Sequence, residues 1–157
     1  MDNKKVFMAS FIAAEGCFQF GLAHNERYTH NINISPNISV AVHDDDKDIL
    51  YEFQQQFEIG VVNEDHTQNQ TKWELRSKKD LDVFCDIFEE AANICSWVER
   101  TDKYSTYATW KSILKQLYSY RENKSKEELE ELIFKVKNLN SKGYQGKTAE
   151  EWVQRIE

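Results

Sequence analysis

The segment from Val6 to Gly16 (VFMASFIAAEG) has no turn residue before its glycine, which predicts a helix closed by a C-terminal glycine. Ala9 and Ala13 lie four apart, as do Ser10 and Ala14. Each pair forms a smooth stripe that lets another helix approach closely. Periodicity alone favours an ordinary buried helix. After Gly16 the period becomes two. Phe18, Phe20 and Leu22 alternate with Cys17, Gln19 and Gly21, and then Ile32, Ile34, Ile38, Val40 and Val42 take the even positions. Asn31, Asn33, Ser35, Asn37 and Ser39 take the odd ones. The pattern predicts an antiparallel hairpin, turning near Asn25 to Tyr28, with one apolar face and one face of uncharged hydrogen-bonding groups. The only proline, Pro36, sits inside the second strand and calls for an edge position or a bulge there.

Helical spacing returns at Ile49, Leu50, Phe53 and Phe57. The acidic run from Asp44 sits where a helix dipole favours negative charge. Gly60-Val61-Val62 opens another strand, and Lys72 to Arg76 forms its return across a loop from Asp65 to Gln70. Asp80 to Ala92 is a third amphipathic helix, with Leu81, Phe84, Ile87, Phe88 and Ala91 inward. The rest is helical: Thr101 to about Tyr120, then a capping box at Ser125 and Glu128 opening a helix that repeats at Leu129, Leu132, Ile133, Val136 and Leu139 until Gly143. Thr148 and Glu151 repeat the cap before Trp152, Val153 and Ile156. With no linker and no repeat, residues 1–157 are expected to form one α+β domain ordered αββαββα, with extra C-terminal helices.

At 157 residues the chain is one domain by size. Hydrophobic residues at 40% and aromatics at 13% exclude general disorder. The net charge of −7 argues against a simple basic nucleic-acid patch, though not against a local one. No stretch approaches the roughly 20 apolar residues that span a bilayer. The expectation is a soluble intracellular protein without a membrane partner. Cys17, Cys85 and Cys95 are too scattered for a disulfide framework or a zinc site and are expected to be buried thiols. Lysine outnumbers arginine 15 to 5, a bias that suits an A+T-rich genome such as that of an organelle or a virus.

The element order, with a small-residue helix ending in an acid and a glycine, resembles the LAGLIDADG homing endonucleases. The signature lies on Met8-Ala9-Ser10-Phe11-Ile12-Ala13-Ala14-Glu15-Gly16, and Cys17-Phe18 fits the common continuation. Asp44 to Val62 is similar to the family's second helix and following strand. Thr101 to Lys111 is similar to its C-terminal helix, and the tail around Leu139 to Gly143 and Lys147 to Trp152 also fits. The resemblance implies an antiparallel sheet saddle lying in the DNA major groove. One motif copy implies a homodimer, with Ala9, Ser10, Ala13 and Ala14 at the helix–helix interface. Gln19, Asn31, Asn33, Asn37, Lys72, Glu74 and Arg76 become the candidates for contact with double-stranded DNA.

The resemblance further implies Mg²⁺-dependent phosphodiester hydrolysis, with Glu15 as the metal-binding catalytic acid. Three positions depart from the family pattern. Ala13 replaces a usual acid, Val42 with His43 beside it stands where a polar residue ends the hairpin, and Asp102 with Lys103 beside it stands where a lysine opens the last helix. A register shift of one residue restores His43 and Lys103 as catalytic support; without it the site loses basic support and Asp102 repels phosphate. The basic residues between Gly16 and Asp80 (Arg27, Lys47, Lys72, Arg76, Lys78 and Lys79) are also fewer than the acids there, and DNA affinity rests on such cations. The readings to separate are an active endonuclease, a cleavage-deficient descendant kept as a binding or structural subunit of an RNA, DNA or protein assembly such as a ribosome-associated particle, and an unrelated α+β domain.

Overall fold

The computed structural model describes residues 1–139 and 146–157. Among the described residues seven α-helices and four strands follow one another: α1 (Asp2–Glu15), β1 (Gly16–His24), β2 (Ile32–His43), α2 (Asp48–Phe57), β3 (Val61–Asp65), β4 (Gln70–Leu75), α3 (Lys78–Ile94), α4 (Ser96–Glu99), α5 (Asp102–Asn123), α6 (Lys126–Leu139) and α7 (Ala149–Val153). The strands form one antiparallel sheet in the order β1-β2-β4-β3. The mixed α/β architecture and the expected element order are both present. The expected extension of α6 to Gly143 lies outside the described residues.

The chain folds as two compact units, Met1–Phe18 with Asn37–Ser105 and Gln19–Pro36 with Thr106–Glu157. In the first, α1 packs on α3 and buries Met8, Ala9 and Ile12 completely. Phe18 meets Phe84 and Phe88 at ring-centroid distances of 6.1 and 5.8 Å. Lys5 closes the same helix pair by an ion pair to Glu90 at 2.7 Å. On β4 burial alternates: Thr71, Trp73 and Leu75 are buried while Lys72 and Glu74 are not. Ser77 caps α3 by accepting the Asp80 N–H, so that helix starts two residues before its expected first residue. Ile87, expected inward, is half-buried, whereas Cys85, two residues earlier, is buried.

In the second unit Phe20 stacks on Trp110 at 5.7 Å, and the Trp110 indole N–H donates to the Gln19 carbonyl at 3.1 Å. Ile32 and Ile34 are buried on the even face of β2, as expected. Arg121 donates to the Ile34 carbonyl at 3.0 Å. The turn is longer than expected, running from Asn25 to Asn31, and closes with the Asn25 N–H on the Asn31 carbonyl at 2.8 Å. His30 and Asn31 both adopt positive φ (59° and 60°), so β2 starts only at Ile32. Pro36 lies in β2 two residues before the first β4 partner, Ile38 opposite Leu75. On that side the proline is at an open edge, which needs no N–H from it.

Further departures have local causes. The helix α1 begins at Asp2 rather than Val6, because the Lys4 and Lys5 N–H groups bond the Met1 carbonyl. Gly16 does not close it in the left-handed conformation: its φ of −76° and ψ of 166° run directly into β1. The residue must still be small, because a Cβ there would lie 2.6 Å from the Ile12 carbonyl oxygen. The run Asp44–Asp46 forms a separate 3-10 turn before α2, and Asp44 accepts the hydroxyl of the fully buried Thr71 at 2.8 Å. Cys17 is exposed rather than buried.

The sharpest backbone requirement is at Gly60. Its φ is +79°, its N–H donates to Asp80 at 2.9 Å, and its carbonyl accepts from Gln54 at 3.1 Å. A Cβ there would lie 2.4 Å from the Trp73 indole nitrogen, which itself donates to the Ile59 carbonyl at 3.0 Å. Gly146 shares the left-handed conformation (φ +64°) but has nothing within 4 Å of such a Cβ. Gly60→Ala is therefore expected to cost more than about 3 kcal/mol, strain plus a displaced indole, and Gly146→Ala only about 1 kcal/mol. Urea titrations of the two variants check the difference, and equal midpoints would contradict it.

Candidate nucleic-acid interface

The polar face of the sheet in the first unit follows from strand register. Ala41, Lys72 and Asn63 form one cross-strand row, Ser39, Glu74 and Val61 the next, and His43, Gln70 and Asp65 the row at the strand ends. The opposite face carries Val40, Trp73 and Val62, together with Ile38 and Leu75. Asn63 and Gln70 thus share the face with Lys72. Their parity along β3 and β4 would have identified them.

Glu74 organises this face. Its Oε2 accepts from Arg76 Nε at 3.0 Å and Asn37 Nδ2 at 3.1 Å, and lies 2.7 Å from Arg76 Nη2. Lys72 Nζ stands 3.5 Å from its Oε1. Burial alone would raise the Glu74 carboxyl, but the Asn37 hydrogen bond and the Lys72 and Arg76 charges outweigh it and hold the carboxyl below its usual range. Asn37 is 8% exposed, so in this state it faces Glu74 rather than solvent. Of the other cations in this part of the chain, Lys47 pairs with Glu64 and Lys78 with Asp82, both at 2.6 Å.

In the second unit Asn33 donates to Ser35 at 3.0 Å along the same strand face, and Gly21 lies alongside Ser35. Gln19 is half-buried. Asn31 is not on a strand face. It sits in the turn, where its amide donates to Glu157 Oε2 at 2.8 Å, because its left-handed backbone turns it away from the strand.

Glu15 is exposed at the last position of α1. His43 is exposed at the end of β2, where its Nδ1 accepts the Asp45 N–H at 3.2 Å, which leaves Nε2 to carry the proton of the neutral ring. Lys103 is half-buried in the first turn of α5, and Asp102 beside it is exposed. Among the described residues no hydrogen bond or ion pair joins Glu15, His43 and Lys103 to one another. The two small-residue stripes of α1 separate. The Ala9/Ala13 stripe is internal: Ala9 is fully buried in its own chain and Ala13 half-buried, whereas Ser10 and Ala14 are exposed. Ala9 is therefore corrected from interface residue to core residue, for α1 spends that face on packing against α3. Among the described residues no helix is long and apolar enough to cross a membrane.

The fold is shared with known proteins. The chain is similar to an archaeal intron-encoded homing endonuclease complexed with DNA, at 18% identity and a TM-score of 0.84 over 99% of this chain and 95% of that one. It is similar to the homing endonuclease I-TnaI at 22% identity and a TM-score of 0.78, over 99% and 97% of the two chains. It is also similar to the meganuclease I-CpaMI bound to uncleaved DNA, at 23% identity and a TM-score of 0.78, over 97% of this chain but 50% of that one. A protein of Podospora anserina, an uncharacterized 50.9 kDa protein in ND4 intron 1, is 29% identical over 85 residues, and the chain's match spans only 19% of its length. The model of the family described as LAGLIDADG endonuclease matches residues 8–114, from the motif helix into α5. On that match, which covers more than half its length, the chain belongs to the LAGLIDADG endonuclease family.

Proposed function

We propose that the chain acts as an intron-type homing endonuclease, a homodimer that binds a long double-stranded DNA site and hydrolyses its phosphodiester backbone with Mg²⁺. The observation that carries the reading is the exposure of Ser10, Ala14 and Glu15 along one side of α1. Small side chains there let two helices approach closely, and the carboxylates at their ends then meet. Family membership and the DNA named with several similar structures support duplex DNA as the ligand. The similarity to a protein of an intron supports an intron-encoded, organellar origin.

A divalent cation suits the donor set. Glu15 offers hard carboxylate oxygens at a helix C-terminus, where the unpaired backbone carbonyls favour positive charge. Mg²⁺ takes one or two carboxylates and keeps several waters, which one Glu15 from each copy satisfies. When bound, the ion activates water and stabilises the leaving oxygen. Glu15 holds the ion, Lys103 offers charge to the phosphate, and His43 offers its Nε2 proton to a phosphate oxygen or water. The polar sheet residues Gln19, Asn33, Lys72, Glu74 and Arg76 meet the DNA.

A second reading is favoured by the charges. Asp102 is exposed where the family pattern has a lysine, and Lys72 and Arg76 are both engaged with Glu74. A cleavage-deficient descendant retained as a binding subunit of a nucleoprotein assembly accounts for both.

Glu15→Gln is expected to abolish Mg²⁺-dependent cutting of DNA spanning the gene's own insertion site, with rate losses of at least about 10²-fold and no change in melting temperature. Cutting by the wild type and not the variant supports the endonuclease. No cutting by the wild type with Mg²⁺ or Mn²⁺, together with co-purification of nucleoprotein particles, supports the second reading. Sedimentation tests the helix pairing separately: Ala14→Leu is expected to shift a dimer to monomer, and a wild type that sediments as a monomer at all concentrations would defeat the dimer.

A further inference from the structure

We propose that Glu74, braced by Asn37, is a built-in limiter of nucleic-acid affinity: it neutralises Lys72 and Arg76 on the polar sheet face and must release them before they meet phosphate. The inference rests on the DNA-binding reading of that face. Glu74 is the deeper partner, with its side chain 14% exposed against 42% for Lys72 and 69% for Arg76. The acid is therefore the inner anchor and the cations are the solvent-facing arms. Arg76 reaches Oε2 through both Nε (3.0 Å) and Nη2 (2.7 Å), while Lys72 stands at Oε1 (3.5 Å). A carboxylate only accepts hydrogen bonds, so Asn37 has to present its NH₂ group to Glu74, which it does at 3.1 Å. Its own Oδ1 is then buried without a hydrogen-bond partner among the described residues. Leaving a buried carbonyl unsatisfied is unfavourable, and the orientation persists because the charged acceptor gains more from the donor. Asn37 is thus a positioning residue for Glu74, and the base-reading role expected for it passes to the exposed arms.

The consequence is electrostatic. Counterion release drives protein–DNA affinity, and a cation already paired with a carboxylate releases little when it meets phosphate. A duplex that does not reward the displacement of Glu74 is held weakly. A duplex that offers guanine edges to Arg76 and a cytosine amino group to Glu74 rewards both at once. The limiter therefore trades general affinity for selectivity.

The test uses the full chain, a random-sequence 30-base-pair duplex and heparin–agarose. Glu74→Gln keeps the side-chain shape and an acceptor for Asn37. It is expected to bind the random duplex about tenfold more tightly than wild type at low salt. The log–log salt slope should steepen by about 0.9 for each cation that gains a phosphate. Asp86→Asn, the same charge change at an exposed position of α3, controls for net charge. If Glu74→Gln tightens binding no more than Asp86→Asn does, or weakens it, the limiter is refuted while DNA binding stands. If neither protein binds duplex but Glu74→Gln elutes from heparin at higher salt than Asp86→Asn, the DNA reading falls and the charge pairing survives; equal elution refutes both. Asn37→Ala is expected to change affinity in the wild type but by less than twofold in the Glu74→Gln background, as an indirect role requires. A larger loss in that background would make Asn37 a direct contact and overturn its assignment.

Discussion

The structure depends on a helix that becomes a strand with no turn between them. Gly16 makes this possible: it sits in extended backbone directly against the last turn of α1, where any Cβ would collide with the carbonyl oxygen of Ile12. The direct passage has two results. Met8, Ala9 and Ile12 remain packed inward, and Glu15 is delivered to an exposed helix end with Ser10 and Ala14 on the outward side. The chemistry proposed for the protein relies on that carboxylate being presented to the outside rather than consumed by a cap or an ion pair.

A second constraint comes from charge. The polar sheet face is well supplied with hydrogen-bonding groups, but its cations are committed: Lys72 and Arg76 to Glu74, with Lys47 and Lys78 paired elsewhere in the same unit. Exposed ion pairs of this kind contribute little to stability, so their significance lies in what they withhold from a polyanion. Exposure of Asp102 at the start of α5 acts in the same direction. Under the proposed function, these features favour selective contacts over general affinity.

Much of this was legible along the chain. Alternation separated the buried Ile32, Ile34, Ile38 and Val40 from the polar odd positions of β2, and the motif helix with its terminal acid and glycine carried the family resemblance later met by the match over residues 8–114. Periodicity reports which face a residue takes, because side chains in strands and helices have fixed repeats. It therefore also found the buried residues of α2 and most of those of α3.

What periodicity does not report is who occupies each face. Ala9/Ala13 and Ser10/Ala14 are equivalent as stripes, and only the packing of α1 on α3 assigns one to the core and leaves the other free. Asn31 and Asn37 belong to one polar series. Yet positive backbone angles draw Asn31 into a turn, and a carboxylate thirty-seven positions away draws Asn37 out of solvent. The order of elements, the apolar and polar faces, and the small-residue helix ending in Glu15 are readable along the chain, because these are local repeats. The tertiary structure alone decided which polar groups are spent on each other, because hydrogen bonds and ion pairs form between residues that only folding brings within reach.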